Sequence, residues 1–226
     1  MILVILIWII ATLLMAGIAI LLGKRFGVHY PIAIMASLVV VANILAVKLV
    51  TFGPFIVPAG VLVFSVTFLI TDLISEIWGK RYAQYAVWSG LIASIFMALS
   101  ALIAISWPIA PFMEDFQQSF EAVLGFTPRL VIASIIAYLI SQHHDVWSFH
   151  WWRKRTKGRH LWLRNNASTL VSQALDSTLF ATIAFWGVAP ILPIIIGNYV
   201  VKALIALIDT PFMYGILAVA GRLKKH

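Results

Sequence analysis

The sequence contains no cysteine and little charge. Of its 226 residues, 11% are charged and only 8 are acidic, whereas soluble domains carry about 25% charged residues. Without cysteine the chain has no disulfide, no thiol nucleophile and no thiolate metal ligand. It also lacks the G-x-x-x-x-G-K-[ST] phosphate loop, so any ATP-driven step requires another subunit. The absence of G-x-S-x-G and H-E-x-x-H motifs disfavours a hydrolase, and we predict a protein that is not an enzyme.

Long apolar runs dominate the remainder of the chain. Apolar residues make up 62% of it, and a helix needs about 20 of them to cross the hydrocarbon core of a membrane. The pattern predicts an all-α, polytopic membrane bundle of about seven helices, forming one integral membrane domain over residues 1–226. Between the second and third helices, Pro54 and Pro58 are expected to break one helix and begin the next. The predicted segments are 2–22, 30–50, 57–78, 83–107, 128–146, 166–188 and 191–219.

The basic residues lie mainly on one side of this seven-helix arrangement. They occur at residues 24–25 and 80–81, in the loop 147–165 and in the C-terminal tail, whereas the loop 108–127 is acidic and has no basic residue. Because basic loops remain in the cytoplasm, we predict a multi-pass cell-membrane protein with its N-terminus outside and its C-terminus inside. The net charge of +8 then indicates contact with anionic membrane lipid rather than with nucleic acid.

Several polar side chains fall inside the apolar segments. A charged group at the bilayer centre costs at least about 2.5–3.5 kcal/mol, so such groups face a cavity or a partner. A helical rise of about 1.5 Å per residue places most of them in one layer near the middle of the membrane, with Lys202 nearer its outer boundary. Such a layer is typical of a midplane substrate site. The candidate residues are Asn43, Asp72, Glu76, Gln173, Asp176, Lys202 and Asp209.

Structural roles remain open for some of these residues. Polar side chains also join transmembrane helices through hydrogen bonds, which applies equally to Asn43, Gln173 and Asn198. Glu76 has Lys80 one helical turn away as a partner, and Lys202 could serve to neutralise a carboxylate. No cofactor is predicted.

A short sequence pattern occurs twice. Residues 139–149 and 170–180 both fit L-[IV]-S-Q-x-x-D-x-x-x-F, which suggests related packing. The predicted segments place the first copy at the inner end of a helix and the second copy inside one. We therefore interpret four residues in and next to the first copy as an interfacial helix end rather than a metal site: His143, His144, Asp145 and His150.

The candidate residues suit a compact, planar and polar ligand. A carboxylate can accept two parallel N–H bonds from the edge of a guanine-like ring, and an amide can bond to the ring carbonyl. Because the mid-membrane charges are mainly negative, they disfavour nucleotides and favour an uncharged or cationic base.

Two segments, T-D-L-I-S-E-I-W-G-K at 71–80 and L-W-L-R-N-N-A-S-T-L-V-S-Q-A-L-D-S at 161–177, resemble the queuosine precursor transporter family, also called the vitamin uptake transporter family. The resemblance covers about residues 30–220 and leaves the helix 2–22 as an extra, peripheral element. It implies import of the 7-deazaguanine bases preQ0 and preQ1 for queuosine in tRNA. It also implies a fold similar to the six-helix substrate-binding components of energy-coupling-factor (ECF) vitamin transporters.

Five candidates fall in segments that match the family: Asn43, Asp72, Glu76, Gln173 and Asp176. We expect Asp176 to bind the ring edge and Asp72 to make a second contact, with Asn43 and Gln173 at the ring carbonyl. The alternatives are transport of another small heterocycle or vitamin, and a binding subunit that works with an ECF-type ATPase. A homo-oligomer also remains open.

Overall fold

The structure is a computed structural model that describes residues 2–125, 128–187 and 190–222. Within these residues it contains eight α-helices, one two-stranded sheet and a short 3₁₀ turn at Pro111–Met113. In chain order the elements are α1 (Ile2–Phe26), α2 (His29–Leu45), β1 (Leu49–Phe52), β2 (Phe55–Pro58), α3 (Val61–Ile77), α4 (Lys80–Ser106), α5 (Glu114–Leu124), α6 (Pro128–Arg155), α7 (Leu161–Phe185) and α8 (Ile191–Arg222).

The outer surface of the bundle is apolar. Helix α4 shows this clearly, because it exposes large apolar residues at intervals of three or four and buries small ones such as Ala83 and Ala86 on its other face. Among the described residues, three helices are long and apolar enough to cross a membrane: Ile7–Phe26, Lys80–Ser106 and Ile191–Gly221. Exposed apolar helix faces of this kind are suited to lipid and not to water. The chain is therefore a helical membrane bundle.

Helix α3 forms the centre of the bundle. Fourteen of its 17 residues are buried, and it contacts α1, α2, α4, α6, α7 and α8. A helix that is apolar on nearly all sides is expected to be surrounded by other helices. This position carries the polar residues of α3, including Thr67, Thr71 and Asp72, into the interior.

Helix α1 is more closely integrated than the sequence suggested. It extends to Phe26 and packs against α2, α3 and α8. Leu13, Ala16 and Ile20 belong to the main apolar core, whereas Leu14 and Ile18 face outward. The helix therefore has one face in the bundle and one face towards lipid, rather than lying at the periphery.

The link between α2 and α3 is a β-hairpin, which the sequence analysis did not predict. Strands β1 and β2 pair antiparallel, with Val50 opposite Val57, and the turn contains Gly53 at φ +60°. The predicted segments 30–50 and 57–78 were consequently too long by several residues at this end. β-branched residues favour the extended conformation, and Pro54 cannot donate a helical hydrogen bond, so the apolar character of the link did not make it helical.

Two predicted loops are also partly helical. Helix α6 continues to Arg155, so the basic loop 147–165 shrinks to the short connection 156–160, and α5 lies within the acidic loop 108–127. No glycine or proline follows Pro128 before Gly158, so the local sequence contains no signal to end α6 at residue 146. The first copy of the repeated pattern therefore lies inside a helix, as the second copy does.

Candidate functional site

A partly open cavity lies among α2, α3, α6, α7 and α8, beside the hairpin. Its polar lining comes from four helices, and two phenylalanines contribute to its apolar walls. The residues with functional side chains are Asn43, Phe64, Ser134, Asp176, Phe180, Asn198 and Lys202.

One wall of the cavity depends on the close approach of two backbones. Gly60 precedes the first residue of α3, and a Cβ atom placed on it would lie 2.2 Å from the carbonyl oxygen of Ala42 in α2. Ala42, Ala46 and Gly60 all line the cavity. Small residues therefore allow α2 and the start of α3 to pack closely against each other at the wall of the cavity.

The charged pair of the cavity is Asp176 of α7 and Lys202 of α8. The Lys202 ammonium forms a salt bridge with Asp176 Oδ2, and the Ser141 hydroxyl donates a hydrogen bond to Asp176 Oδ1 at 3.4 Å. The Lys202 Nζ atom also lies 4.8 Å from the centre of the Phe64 ring, within range of a cation–π contact. Both members of the pair are only 4% exposed, so each depends on the other for charge neutralisation.

Two amides add hydrogen-bonding capacity. Asn198 lies one helical turn before Lys202, and its Oδ1 atom is buried without a hydrogen-bond partner among the described residues. The Asn43 Nδ2 group donates to Ser94 Oγ at 3.1 Å. An unpartnered buried acceptor is costly, so the Asn198 oxygen is suited to receive an N–H group from a bound ligand.

Phe64 and Phe180 provide the aromatic part of the lining. The Phe64 ring is fixed by an edge contact with Tyr138, with ring centres 6.1 Å apart. The lining therefore combines a carboxylate, an ammonium and a free amide oxygen, which complement a planar molecule that has both N–H donors and a carbonyl acceptor.

The other four predicted site residues are buried to different degrees but do not line this cavity. Asp72 accepts a hydrogen bond from Thr169 Oγ1 at 3.3 Å, and Asp209 accepts one from Asn165 Nδ2 at 3.4 Å. Gln173 is fully buried, and neither polar atom of its amide has a partner among the described residues. The structure thus brings Asn43, Asp176 and Lys202 together and places Asp72, Gln173, Asp209 and Glu76 elsewhere in the bundle.

Glu76 forms its ion pairs with arginines. Its Oε1 atom lies 2.7 Å from Arg164 Nη2, and its Oε2 atom lies 3.8 Å from Arg153 Nη1. The sequence suggested Lys80 as its partner, but Arg164 is brought to Glu76 by the packing of α7. Arg164 is 2% exposed, which makes this pair an internal link between the end of α3 and the start of α7.

The repeated pattern forms a reciprocal contact between α6 and α7. Ser141 of the first copy bonds to Asp176 of the second, and Asp145 of the first lies beside Ser172 of the second. Asp145 is fully buried and also neighbours Asp72. Its interpretation as an interfacial residue was therefore wrong, because α6 continues for ten residues beyond it.

The described residues contain no group of three or more His, Asp or Glu that could hold a metal ion.

The sequence analysis did not include several lining residues among its candidates. Asn198, a polar residue inside a predicted helix, lies one turn before Lys202, and Phe180 lies one turn after Asp176, so helical spacing from the charged pair indicates both as lining residues. Phe64 and Ser134 had no such signal, because apolar and small residues are common in every helix of this chain.

A lipid-facing helical bundle with a polar internal cavity defines an integral membrane protein that handles a small molecule. A protein-family model described as "Putative vitamin uptake transporter" matches residues 58–216. The chain is 32% identical over 212 residues to the "Probable queuosine precursor transporter" of Bacillus subtilis (strain 168), with 92% of each chain covered. No solved structure matches the chain. The chain belongs to this vitamin uptake transporter family.

Proposed function

We propose that the protein imports queuosine precursors, the 7-deazaguanine bases preQ0 and preQ1, across the cell membrane for queuosine salvage. The observation that carries the proposal is the cavity, whose lining combines the polar residues Asp176, Lys202 and Asn198 with two phenylalanines. Its donors and acceptors complement the edge of a guanine-like ring. The full-length similarity to a relative named as such a transporter supports the same conclusion.

In the proposed binding mode, Asp176 accepts N–H groups from the ring edge, and Lys202 donates to the ring carbonyl. Asn198 accepts a further N–H group, while Asn43 contacts the opposite end of the base. Phe64 and Phe180 flank the ring. Asp72, Glu76, Gln173 and Asp209 lie outside the lining of the cavity, so the proposed binding mode does not include them.

We also propose how the chain sits in the membrane. Seven helices, α1–α4 and α6–α8, span it within a single domain over residues 1–226, and α5 lies at the outer surface. The core over residues 30–220 adopts an arrangement similar to that of ECF substrate-binding components. The N-terminus is outside and the C-terminus is cytoplasmic, as the basic connection between α6 and α7 favours.

The decisive experiment uses a bacterial host that neither makes nor imports preQ0. The full chain is expressed there, preQ0 is supplied at low concentration, and queuosine in tRNA is measured. Restored queuosine is the expected result. Absence of queuosine, with the protein verified in the membrane, contradicts precursor import by this chain alone.

A second candidate is uptake of another heterocycle or vitamin, as the substrate-binding subunit of an ECF-type complex. The family's description as a vitamin uptake transporter favours it. Co-purification of an ATPase, together with competition for binding by a vitamin and not by preQ0, distinguishes this candidate. Both candidates are transport functions, and neither assigns a catalytic step or a cofactor to this chain.

A further inference from the structure

We infer that Lys202 makes the cavity electrically neutral and so selects uncharged 7-deazaguanine bases over bases with a protonated amine. This inference rests on the proposed function and specifies the substrate class of the same cavity. It assigns Lys202 a role in specificity as well as in holding Asp176.

The charges of the cavity lining support this inference. Among the lining residues that the structure describes, Asp176 is the one carboxylate and Lys202 the one ammonium. The two form a salt bridge, so their charges cancel. Asp72 and Asp145, which neighbour each other, belong to a separate cluster outside this lining.

The Lys202 ammonium is also held in place. It bonds to Asp176 and lies over the Phe64 ring, and the remaining Asp176 oxygen accepts a hydrogen bond from Ser141. An incoming cationic amine must therefore compete with Lys202 for Asp176, or lie beside a like charge where little water screens the repulsion. Either arrangement penalises the cation.

An uncharged base meets no such obstacle. A carboxylate has about four lone-pair positions, so Asp176 can still accept ring N–H groups while bonded to Lys202. The ammonium has further N–H groups for a ring carbonyl, and the Asn198 oxygen is without a partner. The neutral ring therefore gains hydrogen bonds without breaking the ion pair.

The test measures binding to the purified full chain in nanodiscs. Three 7-deazaguanines serve as ligands: the nitrile (preQ0), the aminomethyl base (preQ1) and the hydroxymethyl base. The hydroxymethyl base matches the aminomethyl base in size but carries no charge. For the unmodified protein we expect Kd values for both neutral bases at least about tenfold lower than that for the cationic base.

Two variants examine Lys202 directly, and a third is the control. Lys202→Met leaves a net negative cavity and is expected to reverse the preference towards the aminomethyl base. Lys202→Arg keeps the positive charge and should retain the original preference. Lys80→Met, which removes an exposed lysine, is the matched control and should leave all three Kd values unchanged. If Lys202→Met does not fold, Lys202→Gln, which also removes the positive charge and keeps Asp176, replaces it and should show the same reversal of preference.

The outcomes separate this inference from the proposed function. Equal binding of all three bases to the unmodified protein, or tighter binding of the cation, overturns the inference and leaves precursor transport in place. Binding of none of them contradicts the proposed function itself. Discrimination by size, in which the hydroxymethyl and aminomethyl bases both bind weakly, also overturns the inference.

Discussion

Asp176 and Lys202 come from different helices and are buried together in the wall of the cavity. Neither charge has substantial access to water, so removing one member of the pair leaves the other buried without an opposite charge. A single substitution at either position therefore changes both the chemistry of the cavity and its charge. Experiments on this pair need double variants to separate the two effects.

Asp176→Asn is expected to abolish uptake of the precursor while the protein remains in the membrane. The amide cannot provide a second acceptor to the ring edge, and it leaves Lys202 unpaired. Uptake of labelled preQ0, with membrane content measured by immunoblot, checks the prediction. Asp176→Asn combined with Lys202→Met removes the unpaired ammonium and should still not transport. Normal uptake by either variant would exclude Asp176 from the site.

Arg164 is a second residue whose removal should have a large effect. Its guanidinium bonds to Glu76 at 2.7 Å, lies 5.2 Å from the centre of the Phe149 ring and donates to the Gly158 carbonyl at 3.3 Å. These contacts join α3, α6 and the connection before α7. The side chain thus stabilises the packing at the end of the bundle away from the cavity.

Arg164→Ala should lower the free energy of unfolding by about 3 kcal/mol, because it leaves Glu76 without its closest cation. Arg153 offers a matched control, since its side chain is 38% exposed and lies 3.8 Å from Glu76. Arg153→Ala is expected to cost less than about 1 kcal/mol. Thermal unfolding of the purified variants in one detergent measures the difference, and equal losses for the two variants would refute a special role for Arg164.

At the scale of elements, the contact between α2 and the start of α3 determines the shape of the cavity. The β-hairpin joins these two elements and also contacts α8. Hydrogen bonding continues past the strands, because the Ala59 N–H group donates to the Lys48 carbonyl at 2.7 Å. The close approach at Gly60 therefore positions both the hairpin and the cavity wall.

Gly60→Ala tests this arrangement. The added Cβ atom would meet the Ala42 carbonyl oxygen, a backbone atom that cannot rotate away, so α2 and α3 must separate. We expect a loss of about 1–3 kcal/mol in stability and weaker binding of the precursor. Gly215→Ala is the control, because a Cβ atom there meets nothing within 4 Å. Unchanged binding and thermal stability for Gly60→Ala would show that the close approach is not needed.

At the scale of the whole molecule, the orientation in the membrane determines which side supplies the cavity. The segment with α5 contains acidic residues, and the connection between α6 and α7 is basic. The cavity lies beside the hairpin, which the proposed orientation places at the outer side. In that orientation the cavity receives its substrate from outside the cell.

Cysteine labelling can test the orientation without background, since the native chain has no cysteine. Phe112→Cys and Arg159→Cys place single thiols at two exposed positions. In intact cells, a membrane-impermeant maleimide should label residue 112 and not residue 159. Labelling at residue 159 should appear after permeabilisation. The reverse pattern would invert the orientation and place the cavity at the cytoplasmic side.

The sequence by itself determined the membrane class, the approximate extent of most helices and the polar residues that need partners. It could do so because hydropathy is a local property, and a charge inside an apolar segment is visible without knowledge of the fold. It also indicated the family through the segments at 71–80 and 161–177. Its errors concerned local conformation, as at the hairpin and in α6, where apolar residues fit more than one secondary structure.

Only the tertiary structure decided which polar residues meet. Lys202 pairs with Asp176 and not with Asp209 on its own helix, and Glu76 pairs with Arg164 rather than with nearby Lys80. The cavity likewise joins Phe64 to residues of α7 and α8 that are far away in sequence. Such partnerships depend on how the helices rotate and cross when their small and large side chains pack. This information is distributed over the whole chain and is not contained in any one segment.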